Sequence, residues 1–375
     1  MSDPRIELAE ILREQAETVN RTRVVAGFDG FVDQLAKIVE ERQDLEHYTP
    51  VPTISRFADL LGQAAGRSSL REFVVQSVDA GGCAVNLGDG IAQLGVQLDY
   101  FGTLGEPMHP AFDAFAASCR SCTSWGREPG FTMAMEFEDG KYMLSSVTQL
   151  ADFRPDAIQG YLADGRFAEA CSAAALIAIT NWTLYPYMTD CWSLLQDEVF
   201  SRMTHRPWFF LDLVDPRSRS LSDIKRMLPV LSRFEESGRC VLGGNLNEAN
   251  VLAGLLDVPT VQAEGPEVAE QCEALRQKLQ ISEVAIHCIS GGAVASEDGR
   301  VWIDGPYTSK PKKSTGAGDR YNAGYSLGRI LDLPAQQRCL LGAASSGFFV
   351  RNARSASLDE LIRFLRQWAD GSIEP

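Results

Sequence analysis

The chain has 375 residues, 45% hydrophobic and 23% charged, with a formal net charge of −15. This is the composition of a soluble globular protein able to build a large core, and its acidity argues against general attraction to nucleic acid or to acidic membranes. No run approaches about 18 apolar residues, so no membrane span is expected. Nine dispersed cysteines and the lack of a secretory leader predict reduced thiols and a cytoplasmic location. Cys119-Arg120-Ser121-Cys122 is a lone CxxC without a second pair.

In chain order, Met1 to Arg23 is charged and reads as an amphipathic helix. Arg23-Val24-Val25-Ala26-Gly27-Phe28-Asp29-Gly30 predicts a first strand running into a turn. Residues 34–76 are polar at first and then helical near Ile54 to Ala65. Asn86 to Leu94 predicts a helix, and Leu98 to Gly105 a further strand. Phe131 to Phe137, the turn Asp139-Gly140 and Lys141 to Leu144 read as a hairpin. Apolar, strand-length runs follow at Ala174 to Thr180, Trp208 to Val214, Cys240 to Gly243 and Val284 to Ile289. Helix-like segments lie between them, such as Leu221 to Phe234 and Val268 to Leu279. This alternation predicts an α/β protein whose parallel sheet is covered on both faces, with its chemistry at the carboxyl ends of the strands. Residues 34–76 and 131–147 break the alternation; the second reads as a β-rich flap, either a lid over a substrate or a surface decoration. No repeat, low-complexity tract or linker is visible. One domain, residues 1–375, is expected, with lid elements within about 34–76 and 125–148.

The most informative segment is Lys313-Ser314-Thr315-Gly316-Ala317-Gly318-Asp319. Its small residues let backbone N–H groups converge, and a helix starting there adds its own free donors and the positive end of its dipole. Such a turn makes a hole for an anion, and Asp319 at its rim can take a proton from an attacking hydroxyl. A plain loop with Asp319 as a helix cap is the bland alternative. A Walker A loop needs its lysine after the glycines, and a Rossmann loop belongs near the start of its domain.

Four other turns carry chemistry. Gly81-Gly82 precedes a helix on which Asn86 offers a donor and an acceptor to a sugar hydroxyl. Asp29 and Asp33 follow the first strand and read either as holders of vicinal hydroxyls or as solvated loop acids. Asn245 and Glu248 open a helix, where they read equally as organisers of water around Mg²⁺ and as a reciprocal cap. Gly291-Gly292, between a strand and the hairpin of Val294 to Ile303, suits a nucleotide or a plain connection. The four histidines form no metal-ligand spacing, and Asp212 and Asp215 end a strand without an assigned role.

In this order, Gly81-Gly82…Asn86…Leu94-Gly95, Asn245-x-x-Glu248-Ala249 and the stretch from Lys313 to Ser326 resemble the motifs of the ribokinase/PfkB carbohydrate-kinase family. The resemblance runs from about Val24 to about Ile362. It implies a three-layer α/β/α fold with a central, mostly parallel sheet and a small β-rich lid that often makes homodimer contacts. It further implies ATP- and Mg²⁺-dependent transfer of the γ-phosphate to a hydroxyl of a sugar, sugar derivative or nucleoside. By position it makes Asp319 the base and Gly316, Ala317 and Gly318 the anion hole. It gives Asp33, Gly81, Gly82 and Asn86 to the substrate, and Asn245 and Glu248 to Mg²⁺ through water. It places Gly292, Thr315 and Asn352 near the nucleotide.

The sequence departs from the family in three places. Lys313 stands where the family usually has an aspartate that helps hold K⁺, so its ammonium is expected to replace that ion. Ile289 replaces the first glycine of the nucleotide turn, which puts the donor in question. The stretch between Asp33 and Gly81 is long. The competing readings are a non-catalytic sugar or nucleotide sensor on the same fold and an NAD-type oxidoreductase. The second lacks its glycine fingerprint after the first strand.

Overall fold

A computed structural model of the chain describes residues 3–373. Its strands are β1 (Arg23–Gly27), β2 (Phe31–Arg42), β3 (Tyr48–Pro50), β4 (Phe73–Gly81), β5 (Gln97–Gly102), β6 (Ser121–Ser124) and β7 (Gly130–Phe137). They continue as β8 (Gly140–Ser146), β9 (Leu176–Thr180), β10 (Trp208–Asp212), β11 (Arg239–Asn245), β12 (Glu283–His287), β13 (Gly291–Ser296) and β14 (Gly299–Asp304). Nine of them form one sheet in the order β14-β13-β12-β11-β10-β9-β1-β5-β6. It is parallel from β12 to β6, and the β13–β14 hairpin adds antiparallel strands at one edge.

Successive residues of a strand face opposite sides, so these apolar runs feed two cores at once. Val25, Ile177, Ile179, Phe209, Leu211 and Leu242 enter one core, under the helices Met188–Glu198, Leu221–Ser232 and Glu267–Leu279. Val24, Ala26, Ala178, Phe210, Val241 and Ala285 enter the other, under Cys83–Gln93, Ala317–Ile330 and Ala335–Asn352. The result is a three-layer α/β/α fold with a mostly parallel central sheet.

A second, five-stranded sheet has the order β3-β2-β7-β8, with β4 on the other side of β2. It has its own small core of Ile38, Val51, Leu60, Met135 and Phe137, packed against Ile54 and Phe57 of the Ile54–Gln63 helix. Phe73, Val75 and Val78 of β4 and Tyr142, Met143 and Leu144 of β8 are exposed. The 131–144 hairpin and the helix near Ile54 lie where the sequence put them. The 12-residue strand β2 was not foreseen: Asp33, Lys37, Glu40, Glu41 and Arg42 interrupt its apolar pattern. A thin sheet with one open face tolerates those charges, so its strands lack the strong signature of the main sheet.

Candidate active site

The glycine-rich turn ends in the helix Ala317–Ile330, and Asp319 stands in its first turn. Gly316, the residue before the helix, has φ +86, a backbone that favours glycine. A β-carbon there would lie 2.8 Å from Arg320 Nη1 and 3.3 Å from Asn86 Nδ2. The Ala317 amide donates to the Ser314 carbonyl (3.0 Å) and so closes the turn. The amides of Gly318 and Asp319, in the first helical turn, have no intrahelical acceptor by helix geometry. Asn86 Nδ2 donates to Asp319 Oδ2 at 2.9 Å, joining residues 233 apart in sequence.

Asn86 is delivered by the Cys83–Gln93 helix, which begins after Gly82 at φ +105. A side chain on Gly82 would fall 2.7 Å from Asp29 Oδ1. Asp29 is fully buried and accepts from the amides of Cys83 and Ala84, both at 2.8 Å, and from Asn181 Nδ2 at 2.6 Å. It is therefore neither a solvated loop acid nor free to hold hydroxyls: it caps the helix that carries Asn86. Asp33, on β2, is not closed off in this way. Its carboxylate lies against Gly81, where a β-carbon would come within 2.1 Å of Oδ2. Burial pushes its pKa up, while Thr132 and Lys313 oppose the shift.

On the other side of Asp319, the carboxyl ends of the central strands bring in more acid. Asp212, at the end of β10, is buried and accepts from Asn322 Nδ2 (2.8 Å) and the Val214 amide (2.8 Å). Asn245 and Glu248 form a reciprocal cap: Asn245 Oδ1 accepts from the Glu248 amide (3.0 Å), and Glu248 Oε2 from the Asn245 amide (2.9 Å). Asn245 Nδ2 also donates to Glu248 Oε1 at 2.7 Å. Burial first, and then the Asp212 charge, raises Glu248 well above the usual carboxylate range. Burial likewise raises Asp212. Asp319 is raised to about 7 by burial and by Asp212, against the pull of Arg320 and Asn86. Mutual repulsion of this kind is what a cation relieves.

A cavity of about 680 Å³ opens beside this cluster. Asn245, Ser314, Ala317, Gly318, Ser346 and Gly347 line it, together with His287, Glu264 and Tyr321. Its size suits a nucleotide-sized ligand. The acids and amides at its rim suit a divalent cation carried with phosphates. Of the residues expected near a nucleotide, Gly292 lies behind Tyr321, whose hydroxyl fills the space of its missing β-carbon (2.2 Å). Gly291 lines the cavity instead. Asn352 turns its amide back to the Phe348 carbonyl (2.9 Å), while Gly347 and Val350 face the cavity. Ile289 is exposed at the cavity wall, where Glu264 accepts from its amide (3.0 Å) and from that of Ser290 (2.8 Å).

Sequence reasoning gave no role to Asp212, His287 or Arg320. The only hint for Asp212 was its place at a strand's carboxyl end. His287 packs on Gly318, and burial lowers it to about 4, so it is neutral near pH 7.

Comparison with known proteins places the chain in a family. The sequence model of the prokaryotic ketohexokinase family matches residues 3–368. Ketohexokinase of Haloferax volcanii is 29% identical over 370 residues, covering 97% of this chain and 96% of the relative. Among solved structures, Arabidopsis thaliana ribokinase complexed with ribose and ATP superimposes with a TM-score of 0.64 at 17% identity, over 92% of this chain and 98% of that one. Ribokinase of Thermotoga maritima gives 0.62 at 13% identity, over 92% and 99%. The nucleoside kinase of Methanocaldococcus jannaschii gives 0.56 at 12% identity, over 92% and 98%. At these identities the structural likeness speaks for the fold.

Proposed function

The chain belongs to the prokaryotic ketohexokinase family, a group of carbohydrate kinases, and from that premise we propose that it phosphorylates a ketohexose with ATP, using Asp319 as the base. The observation that carries this reading is the Asn86–Asp319 hydrogen bond. It joins the Cys83–Gln93 helix, on the sugar side of this reading, to the Ala317–Ile330 helix, whose first residues line the cavity.

In this reading Asp33, Gly81, Gly82 and Asn86 hold the sugar, with Gly82 acting through the helix start it permits. Asp319 accepts the proton of the attacking hydroxyl. The N–H groups of Gly318 and Asp319 at the helix start, with that of Gly316, face the transferring group, whereas the Ala317 amide is taken by the Ser314 carbonyl and shapes the turn instead. Asn245 and Glu248 hold the water shell of the metal, and Thr315 lies on the nucleotide side. When bound, ATP with Mg²⁺ supplies the phosphoryl group and a positive charge that offsets its own. The small sheet acts as the lid of a single domain, excluding water that would otherwise compete as acceptor; its exposed apolar residues suit pairing with a second copy. Lys313, whose Nζ lies 5.9 Å from the Phe349 ring centroid and whose charge favours ionised Asp33, takes the place of a monovalent cation.

Coupled ADP release over a panel of ketohexoses, aldoses, ribose and nucleosides, with and without K⁺, tests this reading. A ketohexose is expected to give the highest kcat/KM, and K⁺ to change it little. Preference for ribose or a nucleoside would overturn the acceptor, and strong activation by K⁺ would overturn the role of Lys313.

A further inference from the structure

Arg320, the residue after the proposed base, is about nine-tenths buried, and the mechanism above leaves it unused. Its guanidinium is held on three sides. Nη2 donates to Asp89 Oδ2 at 2.9 Å and Nε to Ser355 Oγ at 3.1 Å, while Ser355 Oγ donates to the same Asp89 oxygen at 2.6 Å. The plane lies 4.5 Å from the centroid of the Phe349 ring. Among the described residues, Nη1 is buried without a hydrogen-bond partner. It lies 2.8 Å from the position that a β-carbon of Gly316 would take, directly behind the turn of the anion hole. A buried cationic donor left unpaired is costly.

The contacts of Arg320 form the second rung of a ladder. Asn86 and Asp319 make the first, Asp89 and Arg320 the next, and below them a β-carbon on Gly90 would meet Ala323 Cβ at 2.6 Å. The helices Cys83–Gln93 and Ala317–Ile330 are thus fastened along one seam that begins at the proposed base.

We propose that Arg320 is a positioning residue of the phosphoryl transfer, fastening the helix that bears Asp319 to the helix that bears Asn86 and keeping one cationic donor behind the anion-hole turn. This rests on the reading of Asp319 as the base. The electrostatics agree with it. The ionisable groups that act on Asp319 or share its cluster are Asp29 from the end of β1, Asp212 from β10, Glu248 from the helix after β11, and the Cys83 thiol. All of these are acidic, and Arg320 is the cation that opposes them.

The test compares the full-length enzyme with Arg320→Met, Arg320→Lys and Asp89→Asn. In Arg320→Met, kcat is expected to fall roughly tenfold or more with KM for sugar and nucleotide little changed. The acid limb of its pH profile is expected to move up by about one unit, the scale of a lost neighbouring charge. Arg320→Lys is expected to restore the limb but only part of kcat. An unchanged limb, with activity falling only as far as the folded fraction in a melting curve, would overturn the proposal. Should Arg320→Met fail to fold, Asp89→Asn carries the test: freeing the guanidinium from its carboxylate is expected to move the limb down, and an unmoved limb is fatal to the idea. Carbon-13 NMR titration of the Asp319 carboxyl, assigned by its loss in Asp319→Asn, reads the charge effect without turnover. An active Asp319→Asn enzyme, together with an Asp319 carboxyl titration that does move between the parent and Arg320→Met, would therefore sink the base assignment alone.

Discussion

Asp319 is held near pH 7 by two opposed causes, and the opposition has a kinetic consequence. Burial and Asp212 favour its protonated form, whereas Arg320 and Asn86 favour its charge. A base must be ionised to act, so kcat/KM of the parent enzyme is expected to rise with pH through about 7 and then level off. Asp319→Asn keeps the shape and the contact with Asn86 but cannot accept the proton. Turnover is expected to fall by roughly two to four orders of magnitude, with nucleotide affinity, measured by calorimetry, little changed. A pH profile without an inflection near neutrality would remove Asp319 from this role.

At the scale of elements, much was legible and some was not. The inner strands β1, β5 and β9–β12 of the large sheet announced themselves because both of their faces are buried, which forces apolar runs, whereas the half-exposed edge strand β6 did not. The two hairpins carried Asp139-Gly140 and Asp298-Gly299 at their turns, and the phosphate loop carried its small residues. What stayed hidden were relations between distant segments. Asp29 reads locally as a strand-end acid, and only the folded chain brings it to the amides of Cys83 and Ala84. Arg320 finds Asp89 across 231 residues, a pairing with no local signal. The start of the Cys83–Gln93 helix shows how strict these relations are. Gly82→Ala places a side chain at φ +105 and against Asp29, at a cost of about 1–3 kcal/mol for the backbone alone. The variant is expected to melt several degrees lower and to show a raised KM for sugar, since Asn86 rides on that helix. Unchanged melting would mean that Asp29 does not govern the helix start.

For the molecule as a whole, the buried acids link stability to pH. Asp29 is raised to about 6 and Asp319 to about 7, while burial raises Asp212, and burial and the Asp212 charge raise Glu248. A carboxyl raised on folding stabilises fully below its unfolded pKa and loses that contribution as pH climbs through the folded value. His287, lowered to about 4, acts the other way, but its contribution is complete above its unfolded pKa of about 6.5. From about pH 6.5 to 8 the slope therefore belongs to the acids, and the Tm of the ligand-free enzyme is expected to fall across that window. Glu248→Gln keeps the reciprocal cap and removes one charge. It is expected to flatten the slope and raise Tm at pH 8. A Tm that climbs between pH 6.5 and 8 would contradict the electrostatic picture of the site.

Strand β2 leaves the main body at Phe31 and runs 12 residues to Arg42, with Asp33 only two residues from its root. At about 3.3 Å per residue the strand is a lever roughly 36 Å long, and Asp33 sits about 7 Å from the fulcrum. A swing of about 10° moves the tip by roughly 6 Å and Asp33 by about 1 Å. Any swing of the sheet is thereby geared down at Asp33. The Asp33 carboxylate beside Gly81 would stay nearly still while the far end moved through several ångströms, so a contact made there would survive a displacement of the tip.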